Sequence, residues 1–386
     1  MKGIEEMEKF DFVTFEMDDE QKEFVSALKL ITEGKECLGA EILKDLYCKS
    51  HDLSLRSGCA KILFELFFTK SEWKQLEVLG LLDDQSIDQS NRIIARACSQ
   101  SEQTTFSFLN DQICMPMKLS ISGSPKIDVM INGNKKCFWL DTGAGMTVIS
   151  NSLVKDCDIN IVKDEELKVG NSTNQNFNTD FAIIDSIVIQ DLTILHQPTL
   201  VLANDLLMIQ NPKTEEIMKV DGIIGWDIIQ HICLEIDYGR KRVIIQKPKQ
   251  KDSVENNLFF CGYPILKVKG KNQVPLYFGL DTGANKSHFG RPLLSKIDDL
   301  KIEKRMILSG GFGDVKEREL DSVENLIVYL NEHQSISLHN VREMLTDLAT
   351  FFKLDGVFGS DIAKDGRMVI DYTNRKFELV FTNDAS

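Results

Sequence analysis

The sequence predicts a multidomain chain: an all-α N-terminal region of helical hairpins in series, then an all-β region of two related lobes. Three observations predict it. Apolar residues recur at helical intervals as far as about Ala97. From Met115 onward the texture changes to short alternating runs broken by Asn and Gly, as in KLSISGSPKIDVMINGNKKCFWL. The pentapeptide LDTGA stands twice, at Leu140–Ala144 and at Leu280–Ala284.

The helical region is read as residues 1–105. After the Asp18-Asp19 cap candidates, Phe24, Val25, Leu28 and Ile31 keep helical spacing. Glu36–Cys48 carries Leu38, Ile42, Leu43 and Leu46, and Leu55–Phe68 carries Cys59, Ile62, Leu63, Leu66 and Phe67. Trp73–Leu82 and Ser90–Ala97 extend the series. Such a series suggests hairpins, loosely like a tetratricopeptide or related α-solenoid; with no 34-residue signature, a plain bundle fits equally. Gly39-Ala40 and Gly58 with Ala60 place small residues where helices can approach closely.

The polar stretch SQSEQTT marks a linker. The first β lobe is read as 110–247, and KPKQKDSVENN (Lys247–Asn257) separates it from a second at 258–383. Strands joined by Asn/Gly turns account for both.

Bulk composition excludes several functions. The 386 residues are 42% hydrophobic and carry a formal net charge of −14, which argues against nucleic acid as a partner. No run approaches the roughly 18 apolar residues of a membrane span. The N-terminus, MKGIEEMEKFDFVTFEMDDEQ, is acidic and lacks the apolar core of a signal peptide, so a cytoplasmic protein is expected. Nine cysteines without a CxxC pair and six dispersed histidines offer no metal site, and buried free thiols are expected. No cofactor is implied.

The repeat is larger than the pentapeptide. Aligned on Asp141 and Asp281, each copy is preceded by a hairpin, INGNKKCFWL or VKGKNQVPLYFGL. A glycine lies at the same offset after each aspartate, Gly170 in KVGNSTNQNF and Gly310 in LSGGFGDVKE. VDGIIGWDI then matches LDGVFGSDI, placing Gly225 against Gly359, and IDYGRKRV matches IDYTNRKF. DTGA occurs by chance on the order of once in 100,000 positions, so two copies with matching landmarks imply duplication.

A lone DTG can be an ordinary turn. Here apolar strands precede each copy, so each aspartate is expected to be partly buried. Burial of a carboxylate is costly unless it is paired. Two facing carboxyls resist double ionisation and share a proton. The ionised partner can act as base on a water while the protonated one donates to a substrate carbonyl. Thr142 and Thr282 are expected to bond across the junction. Gly143, Gly283, Gly225 and Gly359 allow close backbone approach. The Gly170 segment and the Gly310-Gly311-Phe312 segment are candidate flaps.

On these residues the chain resembles aspartic proteases of the retropepsin-like and pepsin-like group. Asp141-Thr142-Gly143-Ala144 and Asp281-Thr282-Gly283-Ala284 match that group's active-site loop. Ile223-Ile224-Gly225 and Val357-Phe358-Gly359 match its hydrophobic-hydrophobic-glycine element. The resemblance covers roughly Asp111 to Asn383. The alanines Ala144 and Ala284 and the short lobes look more like bacterial and retroviral-type aspartyl proteases than like pepsin. It implies an all-β bilobal fold, a fused pseudo-dimer acting as a monomer, a peptide or protein substrate, and Asp141 and Asp281 as catalytic residues. Asn285-Lys286-Ser287-His288-Phe289 departs from Gly145-Met146-Thr147-Val148-Ile149, and a Lys and a His there are expected to weaken the loop's apolar packing. Ala after the glycine withholds a hydroxyl from the carboxylate, so activity is expected to extend toward neutral pH.

The leading expectation is an aspartic endopeptidase. Two other readings are a weak or inactive peptide-binding module presented by a helical adaptor, and two lobes that each dimerise with another chain. The helical region is read as binding a protein partner or substrate, as bracing the lobes, or as a regulatory segment blocking the cleft.

Overall fold

The computed structural model describes residues 7–10, 17–120, 123–170, 176–210, 217–251, 256–311, 314–348 and 351–381; the side chains of 163–166, 209–210, 217–218, 307–311 and 314–316 are outside that description. The chain begins with helices and continues as a β-rich region.

Among the described residues ahead of the first strand, five helices run in order: α1 (Asp19–Thr32), α2 (Glu36–Lys49), α3 (Leu53–Thr69), α4 (Trp73–Val78) and α5 (Gln89–Ser99). Asp18, Asp52 and Asp88 cap α1, α3 and α5 by accepting first-turn N–H groups. A Cβ on Gly39 would stand 2.8 Å from the Ala27 carbonyl, so glycine is what lets α2 lie tightly on α1.

These helices do not close a core of their own. Phe24, Leu28, Leu63 and Phe64 share one apolar cluster with Phe259, Ile265, Phe352 and Val357, from the second half of the β region. Phe10 completes that cluster, stacked between Tyr277 and Phe352 at centroid distances of 3.8 and 4.2 Å. Helix α5 turns to the first half instead, packing Ile94 and Cys98 among Trp139, Val148, Leu167 and Phe181. The boundary at residue 105 is therefore a change of secondary structure but not of core.

Two large sheets carry the repeated motifs. In the first, Pro125–Ile131, Asn134–Leu140, Gly222–Ile224, Val148–Ser150 and Leu192–Leu202 are successive neighbours. In the second, Pro264–Gly270, Pro275–Leu280, Gly356–Phe358, His288–Phe289 and Ser335–Glu343 are neighbours in the corresponding order. The strand ahead of each aspartate pairs in parallel with the short strand ahead of the later glycine. The registers agree: Leu140 lies opposite Ile224, and Leu280 opposite Phe358. The adjoining pairs are antiparallel, then parallel, in both sheets.

A third sheet joins the halves. Cys233–Asp237 pairs with Gly366–Asp371, flanked by Arg242–Gln246 with Gln112–Pro116 on one side and Lys376–Phe381 on the other. Both IDY segments thus end in one sheet. The apolar cluster beneath runs without a break from Ile113 to Leu379. Among the described residues no helix is long and apolar enough to cross a membrane.

Candidate active site

The two LDTGA copies, distant in sequence, meet at the junction of the large sheets. Each strand ends at its leucine, and the aspartate N–H then bonds to the facing short strand: Asp141 to the Ile224 carbonyl at 3.0 Å, Asp281 to the Phe358 carbonyl at 2.9 Å. That pairing aims both loops at each other.

The threonines interlock. Thr142 Oγ1 donates to the Leu280 carbonyl at 2.7 Å, and Thr282 Oγ1 to the Leu140 carbonyl at 2.9 Å. Each hydroxyl also accepts the N–H of the other threonine at 3.0 Å. Both residues are wholly buried, so four polar groups that would be orphaned are paired reciprocally.

The glycines explain how close the loops lie. A Cβ on Gly283 would stand 2.3 Å from Asp141 Oδ2, and one on Gly143 would stand 2.7 Å from Asp281 Cγ. Gly225 and Gly359 have ordinary φ angles near −90°, so conformational freedom is not the reason for glycine there. A Cβ at either would strike backbone, Met146 at 2.6 Å or Lys286 at 2.7 Å.

The two carboxyls sit close enough that the charge of Asp141 acts on Asp281. Burial raises the proton affinity of both. The neighbouring Asp141 charge raises Asp281 further, well above the usual carboxylate range. Backbone N–H groups oppose this: Gly143 N–H reaches Asp141 Oδ1 at 2.8 Å, and Ala284 N–H reaches Asp281 Oδ1 at 2.9 Å. Like charges at close range resist double ionisation, so two facing carboxyls tend to share a proton.

Behind each loop stands a second aspartate that sequence reading left unassigned. Asp227 accepts from Thr147 N–H at 2.8 Å, Thr147 Oγ1 at 2.9 Å and Gln197 Nε2 at 2.8 Å. Asp361 accepts from Ser287 N–H at 3.1 Å and Ser287 Oγ at 2.6 Å. Both follow the later glycine by two residues, in GWD and GSD, so the signal was present in the repeat. Each ties the chain after DTGA to the glycine strand. Burial pushes Asp227 up to about 7.

The departures in the second copy do not disturb this scaffold. Lys286 turns outward with a side chain 64% exposed. Burial and the Arg342 guanidinium push His288 down to about 3, and the neutral ring accepts from Arg342 Nε at 2.8 Å. The expected weakening of the packing is replaced by a polar contact, because the ring is not charged.

Gly170 and Gly310 both lie at the ends of long hairpins. Gly170 closes strand Ile161–Gly170 opposite Asn176, while Gly310 and Gly311 lie opposite Val315 and Asp314. Phe312 lies outside the described residues. Ala144 and Ala284 are half-buried, and their carbonyls receive the N–H of Trp226 at 2.7 Å and of Ser360 at 2.8 Å. All nine cysteines are free thiols, and the described residues include no cluster of three metal-ligating side chains.

Residues 127–228 match the family model described as aspartyl protease, a stretch that contains Asp141, Gly225 and Asp227. The chain is also similar to the crystal structure of a retropepsin-like aspartic protease from Rickettsia conorii, at 15% identity and a TM-score of 0.26, over 38% of this chain and 94% of that one. No curated protein matches the sequence.

Proposed function

We propose that the chain is an aspartic endopeptidase. Two retropepsin-like lobes, related by internal duplication and fused in one chain, close a single cleft on Asp141 and Asp281. The observation that carries this reading is the pair of aspartates brought together on loops interlocked by Thr142 and Thr282, with the charge of Asp141 acting on Asp281. The equal registers of Leu140 with Ile224 and Leu280 with Phe358 support the duplication.

In this mechanism the ionised carboxylate takes a proton from a water held between the two acids. The water oxygen attacks the peptide carbonyl carbon, and the protonated carboxyl gives its proton to the carbonyl oxygen. Collapse of the tetrahedral diol breaks the C–N bond as a proton passes to the leaving amine, and the pair returns to one shared proton. The Gly170 and Gly310 hairpins serve as flaps over an extended peptide. The nine free thiols fit a reducing, cytoplasmic setting.

Digestion of a peptide library by wild type, Asp141→Asn and Asp281→Asn proteins tests the reading. Cleavage by the wild type should fall by at least about 1,000-fold in each variant, as when one member of an acid–base unit is lost. Near-full activity in either variant would rule out one shared site. Peptide binding without turnover in the wild type would replace the enzyme with a binding module.

A further inference from the structure

The strand ahead of the first aspartate has two faces. Phe138 and Leu140 enter the apolar cluster beneath the sheet, together with Ile149 and Ile224. Trp139 points the other way, and strand alternation puts Asp141 on its side. Register carries that second face across five strands. Trp139 lies opposite Ile223, Ile223 opposite Val148, Val148 opposite Leu200, and Leu200 opposite Phe181. The row is an apolar floor that leads away from the first acid.

A floor that receives substrate has to be reachable from solvent. This one is covered: Trp139 is 3% exposed, Ile223 and Phe181 2% each, and Val148, Leu200 and Asp141 8% each. The cover comes from the helical region. Ile94 and Cys98 of α5 are buried in the same cluster as the row, and Ile93, Ala97, Ala144 and Met146 pack against it. Leu167 and Val169, from the hairpin that ends at Gly170, join the same cluster. Helix α5 thus bridges the floor and the candidate flap of the first half. Alongside, Gln230 Nε2 donates to the Thr69 carbonyl at 2.6 Å and ties the turn after α3 to the first half. The space left there, lined by Phe68, Trp73, Gly145 and Met146 among others, is about 30 Å³, room for water but not for a peptide side chain.

The second half offers α5 no equivalent seat. The row in register there reads Gly279, Val357, His288 and Arg342, which presents no apolar stripe to a helix. Asp281 is also less buried than Asp141.

We propose that α5 is an autoinhibitory cover: it occupies the substrate face of the first half, and a peptide reaches Asp141 only when α5 moves off. The proposal rests on the aspartic protease reading. The helix is eleven residues long, too short to gain much stability alone, and the polar stretch SQSEQTT follows it. Of its buried apolar residues, Ala95 belongs to the cluster of the other helices, while the larger Ile94 and Cys98 belong to the floor. Its grip on the floor therefore sets the closed fraction.

The test uses the full chain, since the other helices also cover the second half. Ile94→Glu puts a charge into the cluster and drives α5 off, and Ile94→Ala loosens it more gently. The probe is an uncleavable hydroxyethylene hexapeptide, which mimics the tetrahedral diol. Calorimetry gives its affinity. Alkylation of Cys98, read by peptide mass spectrometry, reports opening, because Cys98 is 3% exposed. With an open form of at most about a tenth of the molecules, Ile94→Glu should bind the mimic about tenfold tighter or more and raise kcat/KM alike. Saturating mimic should speed Cys98 alkylation in the wild type by a similar factor. A folded variant that binds the mimic no better than wild type would overturn the proposal. Should neither variant fold, the wild type decides: an alkylation rate unmoved by the mimic overturns it. Mimic binding that opens Cys98, with no peptide cleaved by any form, sinks the protease reading and leaves the cover standing. Cleavage by the wild type with Cys98 unmoved does the reverse.

Discussion

The side chains that decide the site are small, and their smallness is positional. Gly359 sits against Lys286 backbone, which cannot swing aside as a side chain would. Gly359→Ala should therefore lower stability by about 1–3 kcal/mol, read in urea unfolding. An equal midpoint would show that the loop has room. Thr282→Val keeps the volume but removes the hydroxyl, leaving the buried Thr142 N–H and Leu140 carbonyl without partners. The expected cost is about 2–4 kcal/mol, and the double variant with Thr142→Val should cost less than the sum. The acid pair itself is a liability at neutral pH. Because burial raises both proton affinities above the ordinary aspartate value of 3.8, the folded state binds more protons than the unfolded one. Its contribution is present in full below about pH 3.8 and is lost as pH rises through the raised values. Asp281→Asn should thus raise the melting temperature at pH 7 and leave it nearly unchanged near pH 3.5. A stabilisation of equal size at both would refute the linkage.

At the scale of elements, helix α5 stands against the hairpin that ends at Gly170. Ser90 Oγ accepts the Lys168 N–H at 3.0 Å, and Ile94 shares a cluster with Leu167. Ser90→Ala removes one anchor of a long hairpin without touching the sheet core. Amide exchange at Lys168 should accelerate by roughly tenfold, the weight of one hydrogen bond, while Phe138 and Leu140 keep their protection. Unchanged exchange at Lys168 would mean that the Ile94 packing holds the strand alone. The sequence showed the elements well. The runs from Asp18 onward became α1 to α5, because apolar spacing and Asp caps are local signals. The contact of α5 with the hairpin was not legible, since nothing local to Ser90 refers to Lys168.

For the whole molecule, the helices and both halves are held as one body. Glu36, only 1% exposed, accepts from Tyr372 Oη at 3.1 Å and Arg375 Nε at 3.1 Å. Glu36→Ala would strand a half-buried guanidinium and should cost about 3–5 kcal/mol, measured by chemical unfolding; a loss under about 1 kcal/mol would show that the tie is solvated. Tyr372 belongs to the second IDY segment, so one copy of a repeated landmark has been taken up by the helical region. Deleting 1–105 would uncover Phe259, Ile265 and Phe352 together, and such a fragment should aggregate where the intact chain does not.

Sequence alone determined the order of helices and strands, the paired aspartates, the threonines and the later glycines. These are carried by periodicity and by a motif written twice, both readable along one chain. Only the tertiary structure decided that Asp227 and Asp361 brace the chain after each DTGA, that Ser90 anchors Lys168, and that Glu36 meets Arg375. Those facts are distances between segments far apart in the chain. They depend on which strand lies beside which, and no local signal along the chain carries that.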